Sequence, residues 1–210
     1  VFGYKTNRAT AERFANGQVI QWSCCSHFAK SNECREKTMK HQNVLVLSLL
    51  AAGLLSACAG TLSPPAASAT LAGRSGAVVS GSVNFYEVPG GLRIEARVAG
   101  LTPGEHGFHV HEIGDCTAPD ASSAKGHFNP AGLAHGSHEA AVHHAGDLPN
   151  LLANAQGEAH YAGEVHGIGL NGPNGIAGRS VVIHADADDY KSQPAGNSGK
   201  RIACGVIAAG

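Results

Sequence analysis

The sequence predicts an all-β domain of sandwich or barrel type, and three observations carry that prediction. Glycine is abundant (28 residues) while aromatic residues make up 5% of the chain, a composition that suits short strands and turns rather than helices. Two stretches alternate apolar and polar residues with a period of two, the pattern of a half-buried strand. No segment after Cys58 repeats its apolar residues at helical spacing.

The strands follow in order along the chain. Val83 and Phe85 alternate with Ser82, Asn84 and Tyr86. Leu92, Ile94, Ala96 and Val98 alternate with Arg93, Glu95 and Arg97, and Pro89-Gly90-Gly91 joins the two as a hairpin turn. Thr102-Pro103-Gly104 marks a further turn, leading into a short strand through Val110. Later strands are expected from Gly157 to His166, Arg179 to Ala185 and Arg201 to Ala208. Glu112 to Ala145 and Ala187 to Lys200 carry no strand pattern. Structureless loops beyond about 15 residues are uncommon in compact domains unless they serve a function. Both adjoin histidines, so metal and a disulfide are expected to supply their order.

Upstream, the sole methionine, Met39, opens a different pattern. A mildly basic stretch to Asn43 precedes an apolar run from Val44 to Leu55, which closes as Leu55-Ser56-Ala57-Cys58. Basic, apolar and small residues in that order describe a secretory signal, and the run is too short to span a bilayer as a helix in the usual way. The ending resembles the bacterial lipobox, in which Cys58 would become the lipidated first residue. Four segments are therefore expected. Residues 1–38, which hold Trp22, Cys24, Cys25 and Cys34, read as an upstream extension that is not native. The sharper alternative is a cysteine-rich metal-binding extension. Residues 39–57 read as a lipoprotein signal peptide. Residues 58–75, rich in Ala, Ser, Thr and Pro, read as a flexible tether, and 76–210 as the domain. The expected address is the periplasm or cell envelope, with a lipid anchor in the membrane. Ala59 in place of aspartate after the lipid cysteine favours the outer membrane.

From Cys58 onward the chain carries 8 Lys+Arg against 13 Asp+Glu, a net charge of −5. That excludes nucleic-acid binding through a broad basic face. Only Cys116 and Cys204 remain in the globular part, and two cysteines in an exported chain are expected to pair.

Thirteen histidines are many for this length, and eight lie between His106 and His144. In His109-Val110-His111 the two histidines sit at i and i+2, so a strand would place both on one face. His127, His135, His144 with Asp147, and His184 extend the set. Imidazole suits copper and zinc, and an added carboxylate suits zinc. Six histidines and one aspartate exceed the needs of one four-coordinate metal and match two metals sharing a ligand. His41, His106, His160 and His166 read as ordinary surface or core residues. His138 and His143 lie inside the candidate zinc loop with no assigned role.

Four motifs carry a resemblance: Gly107-Phe108-His109-Val110-His111-Glu112, Gly126-His127-Phe128-Asn129-Pro130, His144-Ala145-Gly146-Asp147-Leu148 and Arg201-Ile202-Ala203-Cys204-Gly205-Val206. They resemble the copper/zinc superoxide dismutase family over the region from about Gly76 to Gly210. The resemblance implies an eight-stranded Greek-key barrel that dismutes superoxide to dioxygen and hydrogen peroxide. It implies copper on His109, His111, His127 and His184, and zinc on His127, His135, His144 and Asp147, with His127 shared. Asp188 would link a copper-side and a zinc-side histidine, and Arg201 would guide the anion. His127 would carry a proton, and Cys116–Cys204 would be the disulfide. Lys125, Lys191 and Lys200 are candidate helpers of the anion. The alternative on the same fold is a non-enzymatic copper-binding or copper-delivery lipoprotein. Cys116 directly after Gly114-Asp115 and the short stretch Tyr190 to Gly199 resemble the bacterial periplasmic branch, as monomer or homodimer.

Overall fold

The structure is a computed structural model and describes residues 63–210. The expected extension, signal peptide and lipidated Cys58 lie outside the described residues. Ten strands form: β1 (Ala67–Gly73), β2 (Ser80–Val88), β3 (Gly91–Ala99), β4 (Gly104–His106), β5 (Phe108–His111), β6 (Leu151–Ala153), β7 (Glu158–His166), β8 (Ser180–His184), β9 (Arg201–Val206) and β10 (Ala208–Ala209). Among the described residues there is no α-helix, only a 3-10 turn at Ser122–Ala124.

All strand pairs are antiparallel, in the order β4-β6-β7-β3-β2-β1-β9-β8-β5, with β10 also on β1. β4 and β5 are two halves of one strand interrupted at Gly107. The first half pairs with β6 at one end of that order and the second with β8 at the other. A strand shared by both ends brings the sheet round to near closure. β9 and β10 are likewise two halves of one strand that borders β1. With those halves joined, the ten strands reduce to the eight of the expected Greek-key barrel. β6 and the interruption at Ile207 are additions to the strands expected.

Alternation decides what each strand buries. Val83 and Phe85 on β2, Leu92, Ile94, Ala96 and Val98 on β3, Phe108 and Val110 on β5, and Val181 and Ile183 on β8 fill one core. Each large apolar side chain among them contributes roughly 1.5–3 kcal/mol by leaving water. At Pro89-Gly90 the β2–β3 hairpin turns with Gly90 at φ 79°, a conformation glycine adopts without steric cost.

One boundary is corrected. A tether to residue 75, with the domain starting at 76, is inconsistent with β1, whose Ala67, Ala69 and Leu71 are buried against β2. These small residues fit because Gly205 stands where a β carbon would collide with the Thr70 carbonyl.

Glu112 to Asn150 and Ala185 to Lys200 form the two long connections, and they cover the outer face of β5 and β8. A second small cluster of Ala121, Ala124, Val182 and Cys204 packs there, with Cys116 beside it and disulfide-bonded to Cys204.

Candidate metal centre

On β5, Phe108 and Val110 point into the core, so His109 and His111 must point out. Both are nevertheless fully buried, because the first long connection folds back over them. It does so through backbone bonds: Phe128 N–H to the Val110 carbonyl (2.9 Å), Val110 N–H to the Gly146 carbonyl (2.9 Å) and Gly146 N–H to the Phe128 carbonyl (2.9 Å). His127 thereby lies opposite His111, and Asp147 opposite His109. Gly146 is required at this crossing, since a β carbon there would strike the Val110 carbonyl. His184, at the end of β8, shares the outward face of Val182 and is fixed by its N–H to the Gly107 carbonyl (2.8 Å).

Two clusters result. His109, His111, His127 and His184 offer one ligand atom each, all within 4.8 Å of one another. His127, His135, His144 and Asp147 do the same.

Hydrogen bonds identify the atoms that remain free. His109 donates from Nε2 to Asp188 Oδ2 (2.8 Å), and its buried Nδ1 has no partner. His111 donates from Nδ1 to the Lys125 carbonyl (2.9 Å), leaving Nε2 3.4 Å from His184 Nε2. His184 in turn donates from Nδ1 to the Gly199 carbonyl (3.2 Å). His135 donates from Nε2 to Asp188 Oδ1 (2.9 Å). Its Nδ1 sits 3.0 Å from Asp147 Oδ1 without hydrogen-bond alignment, as two atoms facing a common point would. His144 brings Nδ1 to 3.4 Å from both His127 Nδ1 and Asp147 Oδ1. His127 faces both clusters: Nδ1 is 2.8 Å from Asp147 Oδ1, and buried Nε2 has no partner.

The electrostatics agree with a site built for cations. Burial holds His109 and His111 well below the ordinary histidine value, with their histidine neighbours adding to the effect. Burial also lowers His184 to about 4. Burial pushes the Asp147 carboxyl up, but the hydrogen bonds from His127 and the His144 N–H outweigh it and hold it at about 2. Neutral imidazoles and an ionised carboxylate are the forms that bind metal.

A cleft of about 400 Å³ opens onto the first cluster, and His111, His127, His184, Arg201, Gln193, Pro194 and Ala195 are among the residues that line it. Arg201 donates to the Ala121 carbonyl (2.7 Å), which fixes the guanidinium at the rim. A wider groove of about 820 Å³ runs along Arg74–Ala77 and the disulfide connection, and none of the clustered side chains lines it. Lys125, Lys191 and Lys200 are exposed, and none lines the cleft. His138 and His143 belong to neither cluster. His106 is a core residue, spanning the His184 carbonyl (2.8 Å) and the Thr102 carbonyl (2.8 Å).

Two side chains escaped the sequence reading. Asn150 pairs with both backbone groups of Asp188, accepting from its N–H (3.0 Å) and donating to its carbonyl (2.9 Å). Gln193 does the same for His135, at 2.9 Å each. No local signal marks either, because each partner is distant in the chain.

Residues 79–207 match the family described as copper/zinc superoxide dismutase (SODC). This chain belongs to that family. A superoxide dismutase [Cu-Zn] from Deinococcus radiodurans is 42% identical over 181 residues, covering 80% of this chain and 98% of the relative. One from Onchocerca volvulus is 44% identical over 146 residues, covering 64% and 92%. Among solved structures, a double mutant of a SOD-like protein from Bacillus subtilis superposes with a TM-score of 0.62 at 40% identity, covering 68% of this chain and 97% of that one. The chain is thus an oxidoreductase of the copper/zinc superoxide dismutase family, with copper and zinc as cofactors and superoxide as substrate. As such it converts superoxide to dioxygen and hydrogen peroxide.

Proposed function

We propose that His109, His111, His127 and His184 hold copper, that His127, His135, His144 and Asp147 hold zinc, and that Arg201 binds and orients superoxide at the copper side. One observation carries the assignment. Four rings, those of His109, His111, His135 and His184, each spend one nitrogen on a carbonyl or on Asp188 and turn the other inward, while His127 turns both. Buried polar atoms without partners are costly and rare, and three lie here, on His109, His127 and His135. Cations fit them. Four imidazole nitrogens suit copper, and three with a carboxylate suit zinc.

Copper held there would supply a one-electron redox couple, whereas zinc has no redox chemistry. The chain's own groups do the rest. Asp188 fixes the orientation and tautomer of His109 and His135 together. Asp147 keeps Oδ1 for the zinc side because Oδ2 accepts the N–H groups of Gly136 (3.2 Å) and His144 (2.8 Å). His127 Nε2 is the nitrogen placed to hold the proton that leaves with peroxide. Arg201 supplies local attraction that the acidic domain as a whole opposes.

The test loads the full chain with copper and zinc and follows superoxide removal. His111→Ala should lose both activity and copper. Arg201→Ala should lower the rate by ~10–100-fold and reduce its salt sensitivity, with metal content unchanged. Loss of metal from Arg201→Ala would overturn its role.

We propose further that the mature chain starts at a lipidated Cys58 and works in the cell envelope, guarding it against superoxide. The pattern of Met39 to Cys58 supports this, as does a disulfide suited to an oxidising compartment. One relative, from Brugia pahangi, is described as an extracellular superoxide dismutase. Cys58→Ala should move the protein from the membrane fraction to the soluble one. Peptides from residues 1–38 found by mass spectrometry in the native protein would contradict the proposed start.

A further inference from the structure

Pro194 and Ala195 line the cleft together with Arg201, and they belong to a connection with no strand of its own. Most of its bonds stay within it. Ser192 and Asn197 both reach Asp189 Oδ2. Gly196 N–H bonds the Ser192 carbonyl (2.7 Å), and Ser198 N–H bonds the Ala195 carbonyl (3.4 Å). Such a loop is knit largely to itself.

Gln193 is one of its ties to the rest of the domain, beside those of Asp188 to His109, His135 and Asn150 and of Tyr190 to Asn150. The Gln193 Oε1 accepts from His135 N–H (2.9 Å), and its Nε2 donates to the His135 carbonyl (2.9 Å) and to the Lys191 carbonyl (3.1 Å). One amide thus satisfies both backbone groups of a residue 58 positions away. The contact behind it is close as well. Gly196, at φ +64°, lies so near the ring of His135 and the carboxylate of Asp188 that a β carbon would collide with both. The cleft wall is therefore seated on His135, a zinc-side residue, though it borders the copper-side histidines.

We propose that Gln193 is a positioning residue that ties the cleft wall Pro194–Ala195 to His135, so that whatever holds His135 also holds the wall. This rests on the reading of His135 as a zinc ligand. Coupling of this kind is reciprocal: if held His135 steadies the wall, the wall must steady His135 and slow the loss of zinc.

The experiment uses the full chain loaded with copper and zinc. Zinc release to an added chelator is followed together with amide exchange at Gly196 and Ser198. Gln193→Ala should speed both by about tenfold, the equivalent of one or two neutral hydrogen bonds, and leave exchange in β2 and β3 unchanged. Gln193→Glu keeps the acceptor for His135 N–H but loses both donations, and should fall between. Asn197→Ala, which removes bonds inside the loop only, should speed exchange without speeding zinc release. Wild-type zinc release from Gln193→Ala, or equally fast release from Asn197→Ala, overturns the tie. Retention of zinc by His135→Ala would instead sink the ligand assignment on which it rests.

Discussion

The two metal clusters are built in different ways. Three of the histidines proposed to hold copper stand on strands: His109 and His111 on β5 and His184 at the end of β8. Their outward direction follows from the alternation that sends Phe108, Val110, Val181 and Ile183 into the core. The residues proposed to hold zinc, His127, His135, His144 and Asp147, all stand on the connection between β5 and β6, which has no strand. They are held by a few backbone bonds to β5, by Asp188 and by Gln193. One set is placed by the barrel. The other depends on its own ligands, on contacts across the chain and on the disulfide.

That difference can be broken first at the disulfide. Cys116–Cys204 spans 88 residues and anchors the start of the loop-borne half to β9. In the chain-entropy account, replacing both cysteines with alanine lowers stability by about 4–5 kcal/mol. Urea unfolding of the oxidised wild type and the double variant measures it. A loss below about 1 kcal/mol would mean that the loop is ordered without the bridge.

Acid tests the buried histidines next. The His184 value falls from an ordinary 6.5 to about 4 on folding. Between those values the unfolded chain binds more protons than the native one, so stability rises with pH. In protein stripped of metal, this contribution is complete above pH 6.5 and is lost as pH falls towards 4. It amounts to about 3 kcal/mol for His184. His109 and His111 shift in the same direction. Asp147, held at about 2, loses its contribution only below its ordinary range of about 4. Unfolding free energies across pH 7 to 3 should show the histidine loss first. A flat profile down to pH 4 contradicts it.

The smallest expected effect sharpens the comparison at the residue shared by both halves. Asp188→Ala frees the outer nitrogens of His109 and His135 and should weaken metal binding by ~10–100-fold. Competition with chelators should find zinc lost more readily than copper, because His109 keeps its place on β5 whereas His135 has only its loop. Equal losses would show that strand placement adds nothing.

The hairpin of β2 and β3, the pairing of His109 with His111 and the two strandless connections were legible because each is a local pattern. β1 was not. Ala67, Ala69 and Leu71 alternate with Ser68 and Thr70, but Ala differs so little from Ser and Thr in hydropathy that the strand reads as a tether. β6 is three residues long, too short to establish a period. Asn150 and Gln193 were hidden because a polar residue in a loop gives no sign of which distant backbone it will meet.

Sequence alone therefore determined the chemistry: which residue types were available for two metals, and which of them a strand would turn to one face. Tertiary structure decided which nitrogen of each ring stays free, since that depends on the carbonyl or carboxylate brought against the other nitrogen. It also decided that Gln193 meets His135 and Asn150 meets Asp188. A strand's period is written in neighbouring residues, whereas a hydrogen bond across tens of residues exists only once the barrel has closed.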